Sequence, residues 1–245
     1  MTLDDLLTSL FPAGHETCVA AGVLTGSATV RSGSDVLLVG ITERTPLGVD
    51  EALHAADHVL ASLANGNGPI LVIVDSDSQR MSKRDELLGL NEFLSHLAKV
   101  LIHADQTGRP TIGVLYGHSA AGAFLATALA TRVLVALPAA DPAVMDLPSM
   151  SRVTKLSLEI LEEKARSTPV FAPGLDNLAR TGAVHHVWDP TTPLAGQLEA
   201  LLASLPDATD RRDEIGKERG GRPKAFGIAQ RVHQLATGGT ADATA

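Results

Sequence analysis

Cysteine, tyrosine and tryptophan occur once each in this chain, at Cys18, Tyr116 and Trp188, and phenylalanine five times. One cysteine excludes an internal disulfide, a thiolate zinc knuckle and an iron–sulfur cluster, and fits a reducing, cytoplasmic setting. So few aromatics argue against a surface that stacks bases or sugars. Basic residues are in the minority, 20 Lys+Arg against 28 Asp+Glu. A general nucleic-acid binder needs the opposite balance to displace counterions. The start, Met1–Asp5, is acidic and lacks the basic opening of a signal peptide. Long apolar runs are missing with one exception, 22 uncharged residues from Pro110 to Thr131. Its length would cross a bilayer. Gly113, Gly117, His118, Ser119 and Gly122 at its middle instead read as a buried strand, a turn and a buried helix, with no membrane insertion. What is present, 44% hydrophobic residues over 245 positions, is enough to bury the core of one large domain, or of two small ones at most.

Thr2 and Asp5 have capping-box spacing ahead of a short helix bearing Leu3, Leu6, Leu7 and Leu10. Val19–Arg31 and Asp35–Thr42 are β-branched runs flanking Ser32-Gly33-Ser34, the pattern of a hairpin. Asp50 is placed to cap a helix with Leu53, Ala56, Leu60 and Leu63 on its apolar face, ending at Asn65-Gly66-Asn67-Gly68. From Ile70 the pattern alternates. Ile70–Val74 is continuous apolar strand, Asp75–Lys83 a polar loop, and Ser82 the cap of a helix striped by Leu87, Leu90, Leu94, Leu97 and Leu101. Strand Thr111–Tyr116, helix Ala120–Ala130 and strand Val133–Leu137 follow. Such alternation specifies an α/β chain with a parallel sheet. Further helices are expected from Ser157, over Leu175–Arg180 and over Pro193–Leu205, with a short strand at Val184–Trp188. Asp207–Lys224 carries five acidic and six basic residues and reads as a solvated stretch before a last helix. The expected division is a main domain over 1–206 and a charged helical extension over 207–245 with a frayed end.

Tyr116–Ala123, YGHSAAGA, joins a buried strand to a helix. Small residues there let a ligand approach backbone N–H groups that can hold an anion or a developing oxyanion. The same small residues also suit close helix–strand packing. A competing reading uses Ser119. Gly117–Ala121 is one substitution from the G-x-S-x-G nucleophile elbow of an α/β-hydrolase esterase, with Asp141, Asp176, Asp189, His185 and His186 downstream for a triad. His54 and His58 stand one helical turn apart with no third metal ligand evident; no metal is expected. Arg219–Lys224 could grip phosphate but lacks the Walker A lysine–hydroxyl pair.

Taken together, Asp75–Gly89 (DSDSQRMSKRDELLG), Leu115–Leu125 (LYGHSAAGAFL), Met150–Leu156 (MSRVTKL), Thr168–Gly174 (TPVFAPG) and Gly182–Trp188 give the chain a specific resemblance. It resembles the γ subunit of malonate decarboxylase, which is similar to the carboxyltransferase subunits of acetyl-CoA carboxylases. The resemblance implies a crotonase-like fold of repeated ββα units with additional C-terminal helices. It implies a heterodimer with a β subunit of the same fold, the active site lying between them. The substrate would be a malonyl thioester on an acyl-carrier subunit that bears a phosphoribosyl-dephospho-CoA group, and the products the acetyl thioester and CO₂. The resemblance implies nothing bound covalently to this chain, and most such enzymes work without biotin. Ala121 and Gly122 match the Gly-Gly pair of the carboxyltransferase turn, so their backbone N–H groups are the expected oxyanion donors. The side chain at Ala121 restricts φ. A second donor is expected from the loop Asp75–Gln79, where Ser78 stands in place of a family glycine. Gly117, His118, Arg152 and Lys155 are candidates for contact with the substrate or the carrier. A non-catalytic assembly subunit of the same complex is the remaining alternative.

Overall fold

The computed structural model describes residues 1–64, 66–169 and 172–238. Asn65, two residues of the Thr168–Gly174 block and the end of the chain beyond 238 lie outside them. Helix α1 (Leu3–Leu10) is capped as expected: the Asp5 N–H donates to Thr2 Oγ1 at 3.1 Å and the Thr2 N–H to Asp5 Oδ2 at 3.0 Å. Strands β1 (His15–Ala20), β2 (Val23–Thr29) and β3 (Asp35–Leu47) form an antiparallel meander. The Val19–Arg31 run is therefore broken by a turn. Ala21 and Gly22 both have positive φ, 50° and 76°, the backbone sense that suits a two-residue hairpin between twisted strands.

Helix α2 (Val49–Leu63) starts at Gly48, whose N–H donates to Glu51 Oε2 at 3.0 Å, so Asp50 is not the cap. Its buried side is Val49, Ala52, Ala55, Ala56 and Val59, and Leu53 and Leu60 are partly exposed. Small alanines let the helix approach its neighbours closely, and that choice overrides the leucine stripe. Strand β4 (Ile70–Gln79) continues as extended chain through the segment expected to be a loop. The expected single helix after Ser82 is two, α3 (Lys83–Leu88) and α4 (Leu90–Gln106), broken at Gly89 with φ 85°. Leu87 consequently points to solvent, 77% exposed.

Strand β5 (Thr111–Leu115), the short β6 (His118–Ala120), helix α5 (Ala121–Ala126), a 3₁₀ turn (Ala128–Ala130), β7 (Val133–Ala136) and the short β8 (Asp141–Ala143) follow. Helices α6 (Leu147–Thr154), α7 (Leu158–Ser167) and α8 (Leu175–Arg180) lead to β9 (His186–Val187) and to helices α9 (Leu194–Ala203), α10 (Arg212–Glu218) and α11 (Ala225–Ala236). The main sheet has the order β1-β2-β3-β4-β5-β7-β9, parallel from β3 onward, and β6 pairs with β8 in a second, two-stranded sheet. Two strands and a helix recur as β2-β3-α2, β5-β6-α5 and β7-β8-α6. Alternation places Ile70, Val72 and Val74 of β4 in a core with α2, α4 and α5, and Leu71 and Ile73 in a second core with α1 and α9. A strand buried on both faces has to be apolar at every position.

The charged segment after Asp207 is not merely solvated. Arg212 donates to the Leu129 carbonyl at 3.0 Å, Arg219 to those of Ala179, Val184 and His185 at 2.7–2.8 Å, and Arg222 to that of Thr181 at 3.0 Å. His185 lies beneath this cap, and its Nδ1 accepts the Leu134 N–H at 3.1 Å. Burial, then the nearby Arg212, His186 and Arg219 charges, push its imidazole down to about 4 from 6.5. The folded state thus resists a proton that the unfolded chain accepts. The stability contributed by neutral His185 is complete above pH 6.5 and is lost as pH falls from 6.5 toward 4. Denaturant titrations across that window are expected to lose on the order of 2–3 kcal/mol from this residue. His185→Asn, which offers an acceptor that does not titrate, is expected to flatten the slope.

Among the described residues, no helix is long and apolar enough to cross a membrane.

Candidate active site

The carboxyl ends of β4 and β5 carry the turn singled out in the sequence. Parallel α/β sheets place binding sites at this edge. The chain from His118 to Gly122 lies along the distal half of β4 and is joined to it by three polar rungs. The His118 N–H donates to Asp75 Oδ1 at 2.9 Å, the Ser119 and Ser76 hydroxyls meet at 2.8 Å, and the Gly122 N–H donates to Gln79 Oε1 at 2.8 Å. Each rung spans 43 residues, so the two segments run in one register. Gly117 permits the approach, because a Cβ there would lie 2.1 Å from Asp75 Oδ1.

Ala121, the first residue of α5, has φ 49°. A left-handed conformation costs an L-residue about 1–2 kcal/mol, and it persists where the surroundings over-determine it. Here rungs on both sides hold it. The turn matches a position where glycine is the unstrained choice.

His118 and Ser119 point to opposite sides of β6, as neighbours on a strand must. Ser119 is fully buried. His118 meets Asp141, its partner in register across β6 and β8, with Nδ1 3.0 Å from Oδ2. A carboxylate oxygen only accepts, so Nδ1 carries the hydrogen of that bond and Nε2 is left for another partner. Tyr116 is buried just before the turn. Burial first, then the charge of Asp75, pushes its phenol up, out of the range in which it ionises.

A charged cluster anchors the far end of β4. Arg80 pairs with Glu51 and lies 3.9 Å from Asp85 Oδ2, and its N–H donates to the Leu47 carbonyl at 2.8 Å. Both carboxylates are buried. Asp85 Oδ1 also takes Arg84 Nη1 at 3.1 Å. The same Arg84 holds Asp50, whose carboxyl is kept below its ordinary value by that hydrogen bond. This cluster ties the start of α2, the end of β4 and the start of α3 together, and so fixes Gln79 opposite Gly122.

Gly117, His118, Ala121 and Gly122 lie together on this turn. Ser78 stands beside them in extended strand, outside the set of positive-φ residues, its hydroxyl on the Gln79 carbonyl at 3.3 Å. Arg152 and Lys155 are not brought to the turn by any described contact. Arg152 bonds Ser149 Oγ at 2.7 Å on the exposed α6, and Lys155 is its left-handed cap with φ 63°. The esterase reading does not assemble. Ser119 is sealed against Ser76, His185 accepts a backbone N–H of the sheet, and Asp189 bonds Thr191. His118, next in sequence, faces away from the hydroxyl. The segment Asp75–Gln79 was expected to give a backbone donor only, so the roles of the Asp75, Gln79 and Arg80 side chains were missed. No local signal marks them, because a polar run of this kind is also what an exposed loop carries.

The model of the malonate decarboxylase gamma subunit family matches residues 42–236. Among curated proteins, the malonyl-S-ACP:biotin-protein carboxyltransferase MADD of Malonomonas rubra is 29% identical over 167 residues, 63% of this chain and 57% of that protein. The chain therefore spans little more than half of that relative. Among solved structures, the Pseudomonas malonate decarboxylase MdcD-MdcE hetero-dimer contains a chain that superposes with a TM-score of 0.73 at 23% identity, covering 95% of this chain and 98% of that one. Transcarboxylase 12S superposes with a TM-score of 0.67 at 19% identity, over 85% of this chain and 40% of that one. With these neighbours the architecture is crotonase-like.

Proposed function

Because the chain belongs to the malonate decarboxylase gamma subunit family, we propose that it supplies half of a site that decarboxylates a malonyl thioester. The other half comes from a β subunit, and the thioester is presented by an acyl-carrier subunit. In this reaction the bond between the carboxylate carbon and C2 breaks, and its electron pair moves toward the thioester carbonyl. CO₂ leaves and an enolate remains, with negative charge on the thioester oxygen. One proton delivered to C2 then gives the acetyl thioester. The step needs preorganised donors where the charge develops, and each is worth ~3–4 kcal/mol in a dry site.

The observation that carries the reading is the bond from the Gly122 N–H to Gln79 Oε1 at 2.8 Å. That N–H is aimed at a carbonyl-type oxygen, the partner an enolate oxygen would replace. His118, braced by Asp141, stands two strand positions before the turn. Its free Nε2 is an acceptor in that tautomer; once it has taken a proton from solvent it can donate to the thioester or pass that proton to C2. Gly117 keeps the backbone low at the same edge. Arg152 and Lys155 would serve the phosphates of a carrier-borne phosphoribosyl-dephospho-CoA group, being exposed and basic. That group supplies the thiol to which the malonyl unit is attached. The relative from Malonomonas rubra transfers carboxyl to a biotin protein; direct release of CO₂ without biotin is the version proposed here. The reading places the complex in the cytoplasm, in keeping with Cys18 as a free thiol.

The test is co-expression with the neighbouring reading frames. Release of ¹⁴CO₂ from a labelled malonyl thioester is expected only when this chain and its β partner are purified together. Full activity from this chain alone would contradict the shared site.

A further inference from the structure

We infer that the Gln79 side-chain amide is the second oxyanion donor of this site, and that its oxygen holds the oxyanion position on Gly122 until a substrate oxygen takes it. The inference takes its substrate from the decarboxylase reading above. Its geometry is independent of that reading.

A backbone second donor at Ser78 would need a left-handed turn there, and Ser78 is in extended strand instead. Strand β4 runs on to Gln79, in register with Leu47 of β3. What reaches the Gly122 N–H is the Gln79 side chain, at 2.8 Å. A Cβ on Gly122 would stand 3.2 Å from that same Oε1 and 3.0 Å from Leu94 Cδ1, so the amide sits in a fitted space. Its other end is uncommitted. Among the described residues, the only partner of Gln79 Nε2 is the Met81 sulfur, 3.9 Å away, a weak acceptor. An amide carries an acceptor and two donor hydrogens on one rotatable plane. With no substrate, Oε1 satisfies Gly122. When a thioester oxygen takes the Gly122 N–H, Oε1 is displaced, and a turn of the amide presents Nε2–H to that oxygen. The side chain then adds a donor to the Gly122 N–H at the same oxygen. Arg80, next in the chain, holds the strand end from which this amide swings.

The experiment compares wild type, Gln79→Ala and Gln79→Glu, each purified with its β partner. Malonyl-CoA is the kinetic probe and acetyl-CoA the binding probe. Gln79→Glu still accepts from Gly122 but cannot donate when ionised, and its charge opposes the enolate. Its kcat is expected to fall ~100-fold or more, the usual cost of a lost oxyanion donor. Gln79→Ala has nothing to displace. Its KM is expected to fall several-fold while kcat drops ~10- to 100-fold. That opposite movement of KM and kcat is a signature that simple loosening of the turn would not give. Either variant retaining kcat within about twofold of wild type overturns the inference. If the wild-type complex releases no CO₂, the decarboxylase reading is what fails, and the inference is decided by calorimetry with acetyl-CoA. Tighter binding to Gln79→Ala than to wild type then supports it, and equal binding overturns it.

Discussion

Replacing Gly122 with proline is expected to reduce CO₂ release by the complex ~100- to 1,000-fold, the loss seen when one oxyanion donor is removed. Proline has no N–H, so the bond now made to Gln79 Oε1 at 2.8 Å has no donor, and neither would an enolate in its place. Proline also biases the residue before it toward extended backbone, and Ala121 is held at φ 49°. The turn would lose its shape as well as its hydrogen. Gly122→Ala separates the two effects. It keeps the N–H and adds a methyl 3.0 Å from Leu94 Cδ1 and 3.2 Å from Gln79 Oε1, and a fall of about tenfold is expected from crowding and displaced donor geometry. Steady-state assays with malonyl-CoA, run beside melting curves and co-purification with the β partner, check both. Full rate in the proline variant, with assembly intact, would make this chain an assembly subunit and not a catalytic one.

Arg80→Met is expected to destabilise the fold by ~1–3 kcal/mol, the cost of taking one partner from buried carboxylates that keep others. Arg80 pairs with Glu51 and approaches Asp85 Oδ2 at 3.9 Å, and both carboxylates lie out of water. Asp85 Oδ2 has no hydrogen-bond partner among the described residues; Arg80 is the cation facing it at 3.9 Å, while Arg84 holds Oδ1 at 3.1 Å. Urea denaturation of the variant should show the loss. Adding Glu51→Gln should recover part of it, because one uncompensated charge is removed. A variant as stable as wild type would mean that water, and not Arg80, solvates these groups. The same substitution should lower activity in the surviving folded fraction, since the guanidinium fixes the end of β4 beside Gln79.

The sequence by itself determined the parallel α/β class, the strand and helix on either side of the Gly/Ala turn, and the caps at Thr2, Ser82 and Ser157. Each rests on local physics. A strand covered on both faces must be apolar throughout, a cap needs an acceptor at a fixed offset, and an exposed backbone N–H needs small neighbours. Tertiary structure decided the rest. The leucines at Leu53, Leu60 and Leu87 looked like core and face water, because alanines on α2 and the break at Gly89 set which side packs. The polar run after Val74 looked like loop and is strand, because it pairs with Thr45 and Leu47 of β3 while the side chains of Asp75, Ser76 and Gln79 bond to a segment 43 residues away. That offset is invisible to any local pattern. Ser119 lost its candidacy as a nucleophile for the same reason: a strand alternates its faces, and only the neighbour across the gap determines which face is sealed. Gln79 as an oxyanion group comes from this pairing alone, since a side-chain amide acquires a role only from the N–H it is placed against.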